Sequence, residues 1–467
     1  RTSTWILHNM PNNIVTDGLV LDLNTSVVSS YPTTGTTWYD LSGESNDGTL
    51  INDPTFEDGV FNLNEGGSGS ERIELPKPSQ LATNDYLTIE ILFKLNTLPT
   101  VAYGDDSPIL GARIGSDYMI FAYPESNNKS HLGVSYDDSR YQSQHESVFE
   151  TEAGRWVQFT HVGIPYESGG YQRGKLMYYI NGALDRDEFI SGDNNGWGIP
   201  NPFYGGYDAR WFKYSDISIA KIRMYNKQLT SEEISQNYYQ GPIVTDGLVF
   251  AVDAGNLVSY ENGSTTTYSL TGSVDGTLTN GVGFDSANGG TWDFDGTNDY
   301  ITLPSSIATA LNGGTEASVC IWIKLTNQSN GVGDTGIIQL SGFNNGNGNL
   351  YFYSNGYTYL DIFRTDRVSQ VFANSSVTAT DWHMLTITTT PGTNGWKCYI
   401  NTTLKKQVTG QSTVSVNSTI QGGLTLGENS GGRYTNGNIA SCFIYDKALT
   451  ADEVSQNYNA QKSRFGL

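Results

Sequence analysis

The stretch "SGDNNGWGIPNPFYGGYDARWF", Ser191–Phe212, sets Trp197, Phe203, Tyr204, Tyr207 and Trp211 among Asn and Gly. Sugars are held by flat aromatic faces to stack on and by amide or carboxylate groups that bond their hydroxyls. A second stretch of this kind, "GFNNGNGNLYFYSNGYTY" from Gly342, carries Tyr351, Tyr353, Tyr357 and Tyr359. The candidate glycan-binding residues are Trp197, Tyr204, Tyr207, Trp211, Tyr353 and Tyr357. The competing reading is two long loops that pack their rings onto the body of the protein or onto a neighbouring subunit, because composition alone does not make a pocket.

Catalytic templates are missing from the chain. It holds no G-x-S-x-G elbow, no H-E-x-x-H and no G-K-[ST] loop. "GVGDTG" at Gly331–Gly336 fits G-x-G-x-x-G, but a strand-like "IIQLSG" follows where a helix is required. His8, His131, His145, His161 and His383 are scattered. Cys320, Cys398 and Cys442 each sit in a strand-like run with no C-x-x-C pair, so they read as buried thiols and not as metal ligands.

The elements that would position such residues are strands. The chain of 467 residues contains 53 Gly, 29 Tyr, 18 Phe and 9 Trp, a mixture that suits pleated strands joined by many turns. In "LTIEILFKL", Leu87, Ile89, Ile91, Phe93 and Leu95 share one face, which predicts a half-buried strand with Thr88, Glu90 and Lys94 on the other. Asn181-Gly182 between "MYYI" and "ALDRDEF" predicts a tight hairpin.

"IVTDGL" occurs at Ile14–Leu19 and again at Ile243–Leu248, and the likeness continues to the end of each copy. "LTIEILFKLN" answers to "ASVCIWIKLT", "GRWVQFT" to "TDWHMLT", and "MYNKQLTSEEISQNYYQ" to "IYDKALTADEVSQNYNA". Thr230 with Glu233, and Thr450 with Glu453, have capping-box spacing, which predicts a short helix closing each copy. The expected layout is an arm at 1–13, a first domain at 14–241, a second at 242–460 and a tail at 461–467. The short, Pro-containing join at Gly241-Pro242-Ile243 is expected to limit motion between the copies.

The net charge of −22 and pI near 4.5 repel phosphate backbones and anionic lipid, which argues against nucleic acid as a partner. No apolar run is long enough for a membrane helix, so no membrane insertion is expected. "RTSTWILHNM" lacks the basic and apolar regions of a signal peptide, and the chain starts at Arg1 rather than Met.

"DGLVLDLNTSVVSSYPTTGTTWYDLSG", "FDGTNDYITLP" and "IYDKALTADEVSQNYNAQKSRFGL" resemble the laminin-G-like branch of the concanavalin A-like lectin/glucanase superfamily. They are similar to the tandem copies in structural proteins of tailed bacteriophages. The resemblance implies an all-β fold of two tandem antiparallel jelly-roll sandwiches, each closed by its C-terminal helix. It also implies calcium as a conceivable cofactor, with Asp295, Asn298 and Asp299 of "FDGTNDY" as ligands; an Asx-type turn uses the same residues. Glucanases of the superfamily carry E-x-D-x-x-E, and here no Glu has an Asp two residues on, so the protein is expected not to be an enzyme. The function implied is a virion structural protein, a decoration or fibre-like projection on the virion surface with weak glycan adhesion to the host. Its partners would be other capsid or tail proteins and copies of itself, docked through Trp5, Ile6, Leu7 and Met10 of the arm. A bacterial lectin-like surface adhesin is the main alternative, and a glycan hydrolase a distant one.

Overall fold

The structure, a computed structural model, describes residues 13–467 apart from the segments 65–70, 82–85, 99–106, 113–117, 125–129, 137–144, 169–170, 191–201, 209–212, 273–274, 327–334, 341–348, 355–357, 364–379, 411–423 and 430–431. The 1–13 arm therefore lies outside the described residues except for Asn13. The chain divides into two compact units, Arg1–Gly241 and Pro242–Leu467.

Each unit is a sandwich of two antiparallel sheets around its own apolar core. In unit 1 the first sheet runs Ala183–Ile190, Tyr171–Ile180, Trp156–Ser168, Leu87–Leu95, Ile217–Tyr225, Val60–Leu63, Thr55–Glu57, and Leu19–Asn24 also pairs with Ile217–Tyr225. The second runs His145–Thr151, Ser130–Tyr136, Tyr118–Pro124, Ser107–Ala112, Phe203–Gly205, Arg72–Leu75, Gly48–Ile51, Thr37–Trp38. Unit 2 repeats this order, with Ala317–Leu325 and Asn436–Tyr445 at the centre of its first sheet and Leu424–Leu426 between Tyr300–Leu303 and Thr335–Leu340 in its second. Period-two burial explains why these segments are strands: Ile73 and Leu75 are fully buried while Arg72 and Glu74 between them are partly exposed.

The central strands depart from the half-buried expectation. Thr88 and Glu90 are buried along with their apolar neighbours, because a helix and the segment leading into it lie over that side of the sheet: the Asn237 amide donates to Glu90, and the Thr88 hydroxyl donates to the Lys227 carbonyl and accepts from the Leu229 N–H. That helix, Ser231–Tyr238, starts at the capping box of Thr230 and Glu233, and its counterpart Ala451–Gln461 starts at that of Thr450 and Glu453. A third helix, Ser306–Leu311, is not signalled by the sequence pattern. The turn at Asn181-Gly182 has positive φ at both residues, 51° and 76°, as a tight hairpin demands.

The doubled hexapeptide is a buckle. In unit 1 the Val15 N–H donates to Asn237 Oδ1, the Tyr225 hydroxyl donates to the Val15 carbonyl, and Lys227 bridges Asp17 and Glu233. In unit 2 Val244, Asn457, Tyr445, Lys447, Asp246 and Glu453 make the same bonds. The segment thus ties the first strand, the last strand and the closing helix together in each copy.

Candidate functional site

The second sheet of unit 1 turns one face to the core and one outward. Tyr204 lies between the core residues Phe203 and Gly205, so it points outward, paired across the sheet with Glu74 on one side and Gly111 on the other. Thr49 extends the same face beyond Glu74. The ring of Tyr204 meets that of Tyr207 edge-on at 5.3 Å, and Tyr207 stacks on Tyr214 at 4.6 Å. The Arg72 guanidinium lies over both, 5.6 Å from the Tyr204 centroid and 5.2 Å from that of Tyr207.

Backbone geometry holds this cluster in place. The Gly206 N–H donates to the Ile109 carbonyl, the Ser215 N–H returns to the Gly206 carbonyl, and the Ser215 hydroxyl donates to the Pro108 carbonyl. Gly206 has φ of 73°, and a Cβ there would overlap the Leu63 side chain, so only glycine lets the chain leave the sheet at this point. The pair of short strands Tyr207–Asp208 and Lys213–Tyr214 follows at once.

Burial raises the Tyr204 phenol above its usual range, with Glu74 adding to the shift and Arg72 opposing it. Burial, and then the bond to Tyr214, push Tyr207 up to about 12. Both hydroxyls therefore stay protonated at neutral pH. The surface offers an aromatic ring, a neutral phenol, a carboxylate and a guanidinium side by side, which is chemistry that can stack on a sugar and bond its hydroxyls.

The sequence candidates fare unequally. Tyr204 is partly exposed on the platform. Tyr207 is buried, 7 % exposed, with its ring between Tyr214 and Arg72, so it supports the platform from beneath. Trp197, Trp211 and Tyr357 lie outside the described residues, and Tyr353 falls on the strand Asn349–Ser354 opposite Tyr359 with its side chain outside them. Sequence reasoning missed Arg72 and Glu74, although the alternation in "RIEL" sets both on the solvent face. Unit 2 places Tyr300, Thr302, Thr425, Gln339, Glu428 and Tyr434 where unit 1 has Arg72, Glu74, Tyr204, Gly111, Tyr207 and Tyr214.

At "FDGTNDY", Asp295 Oδ1 accepts from the Thr297 N–H at 2.7 Å, and Asp299 Oδ2 accepts from the Asp295 N–H at 3.2 Å. Asn298 is exposed and its carbonyl accepts from Asn280. In unit 1, Glu71 accepts from the Asn64 N–H in the same way. Both Asp carboxylates are thus engaged within the turn, and among the described residues no three of His, Cys, Asp and Glu gather as a metal-holding group. Burial raises the carboxyl groups of both Asp293 and Asp299, with neighbouring aspartates adding to it. The three cysteines are buried free thiols, and burial pushes Cys320 up to about 11, which makes it a poor nucleophile.

Residues 66–235 and 295–455 each match the laminin-G family model described as the concanavalin A-like lectin/glucanases superfamily, and together they span more than half of the chain. The chain belongs to this superfamily. Two tandem copies of the superfamily domain account for the two units. No curated protein matches the chain. Among solved structures, it is similar to domain 4 of an extracellular arabinanase of Geobacillus stearothermophilus, in complex with arabinotriose, at 16 % identity and TM-score 0.32, covering 47 % of this chain and 98 % of that one. The binding domain of Paraclostridial Mosquitocidal Protein 1 is similar at 13 % identity and TM-score 0.37, covering 82 % and 92 %. Domains LG4-5 of the mouse laminin alpha1 chain are similar at 9 % identity and TM-score 0.28, covering 85 % and 93 %.

Proposed function

We propose that this superfamily member is a non-enzymatic binding protein whose unit 1 holds a glycan on the outer face of its second sheet. The observation that carries the reading is Tyr204, a ring presented outward between Glu74 and Gly111 and backed by Arg72 and Tyr207. Gly111 has no side chain to crowd the ring, and Glu74 can accept from sugar hydroxyls beside it. The reading extends to a decoration or fibre-like component on the surface of a tailed phage, which rests on the resemblance of the repeated segments to phage structural proteins.

Two experiments test the two halves. On a glycan array, the full chain should bind a restricted set of sugars, and Tyr204→Ala should weaken that binding about tenfold or more, as loss of a stacking ring does. Equal binding by Tyr204→Ala, or no binding by either chain, overturns the glycan site. Gold labelling of phage particles with an antibody against the chain tests the virion half. Label on head or tail supports it, and unlabelled particles with labelled bacteria would favour a bacterial adhesin.

A further inference from the structure

The sandwich of unit 2 carries an extra segment that unit 1 does without. Beyond the helix Ala451–Gln461, the turn Lys462–Phe465 lies back on the domain. One nitrogen of the Arg464 guanidinium, Nη1, donates to both Asp253 oxygens at 2.7 and 2.8 Å. Its other two nitrogens donate to the carbonyls of Asn288 and Gly290. The Asn288 amide donates in turn to the Arg464 carbonyl at 3.0 Å, and its Oδ1 accepts from the Trp382 indole at 3.1 Å. Phe465 stacks on Trp322 at 4.3 Å and lies 4.6 Å from Trp382. Gly255 is part of the slot: a Cβ there would fall on the Arg464 guanidinium.

Unit 1 builds the same sheets and the same closing helix without an Arg-Phe segment, although it keeps an indole, Trp156, at the position of Trp382. At the positions of Asp253 and Trp322 it has Asn24 and Leu92; Asn24 and Asp253 both accept from the backbone N–H two residues on, and Asp253 also takes the Arg464 guanidinium. A fold that forms without the segment does not require it. The groups around Arg464 and Phe465 are instead complementary to them one by one: a buried carboxylate and two carbonyls for a guanidinium, two indoles for a ring, an amide for the main chain.

We propose that Asp253, Asn288, Gly290, Trp322 and Trp382 form a peptide-recognition pocket for an Arg-Phe segment, occupied within the chain by Arg464–Phe465. The pocket reads both side chains and the peptide bond carbonyl between them. Its ligand class is a short peptide carrying Arg followed by Phe. The site is separate from the glycan platform, and neither depends on the other.

The test uses the full chain with its own ligand disabled, Arg464→Ala with Phe465→Ala, and a synthetic peptide of residues 459–467. Tryptophan fluorescence should show saturable binding of the peptide to the double variant, with at least about tenfold weaker binding to the wild-type chain, whose pocket is filled. The same peptide with Ala for Arg should bind the double variant about tenfold or more weakly, as should the wild-type peptide when Asp253→Asn is added. No binding to the double variant, or binding that ignores the Arg and Asp253 changes, overturns the proposal. Should the double variant lack the wild-type circular dichroism, Arg464→Ala alone takes its place with a peptide that keeps Arg and carries Ala for Phe, since Phe465 still fills the space against the indoles. Saturable binding of that peptide to Arg464→Ala, at least about tenfold weaker to the wild-type chain and to Arg464→Ala with Asp253→Asn, supports the pocket, and no such binding overturns it.

Discussion

At the scale of single residues, the two copies solve one problem differently. Beneath the closing helix, unit 1 buries Asp22, Arg223 and Glu90, with Arg223 Nε 2.9 Å from Asp22 and Nη1 3.8 Å from Glu90. Unit 2 has Ala251, Phe443 and Cys320 at these places. Buried ion pairs cost desolvation that apolar replacements avoid. Burial pushes Glu90 up to about 7, while Arg223 and the Asn237 amide oppose it. The folded chain thus keeps a proton that the unfolded chain releases near the ordinary carboxylate range. Stability of unit 1 should then fall as pH rises from about 4.5 to about 7, by up to about 3 kcal/mol, and stay at the lower level above that. Glu90→Gln mimics the protonated form. Calorimetry of the full chain should show the variant matching wild type at pH 5 and exceeding it by about 2–3 kcal/mol at pH 8. A difference that does not change with pH would refute this role for Glu90.

At the scale of elements, the buckle predicts matched losses in two places. Asn237 accepts from Val15 and donates to Glu90 and the Tyr225 hydroxyl; Asn457 accepts from Val244 and donates to the Tyr445 hydroxyl and toward Cys320. Asn237→Ala and Asn457→Ala should each cost about 2–4 kcal/mol in urea unfolding, because each strands several buried partners. Thr230→Ala should cost only about 1 kcal/mol, since it removes one cap on an exposed helix end. An Asn237→Ala loss no greater than that of Thr230→Ala would show the buckle to be slack. Much of this level was legible in the sequence. The caps, the Asn181-Gly182 hairpin and the alternating strands are local patterns, set within a few residues of each other. Burial of Thr88 and Glu90 was not legible, because a period of two reports polarity and not what lies above a sheet. Arg72 meets Tyr204, and Asp253 meets Arg464, only through pairing of strands and segments far apart in the chain, so neither site could be assembled from spacing.

At the scale of the whole molecule, duplication has kept the frame and let the surfaces diverge. Both units keep the buckle, the capped helix and the glycine after the short strand, Gly206 and Gly427, each against a core side chain. Their outward faces differ: Tyr204 with Glu74 and Arg72 in unit 1, Thr425 with Thr302 and Tyr300 in unit 2. A single platform per chain would make the affinity of one molecule weak, and many copies on one particle would raise it through effective concentration. Isothermal titration of the full chain with a soluble sugar from the array should therefore give one equivalent bound per chain. Binding to a surface coated densely with that sugar should be tighter by about a hundredfold or more when the protein is presented in many copies on a bead. Two equivalents per chain would mean that unit 2 binds the sugar through groups other than a tyrosine platform. Sugar binding would then not be confined to unit 1, and the two copies would hold it on faces of different chemistry, while the peptide slot of unit 2 would stand untouched by that result.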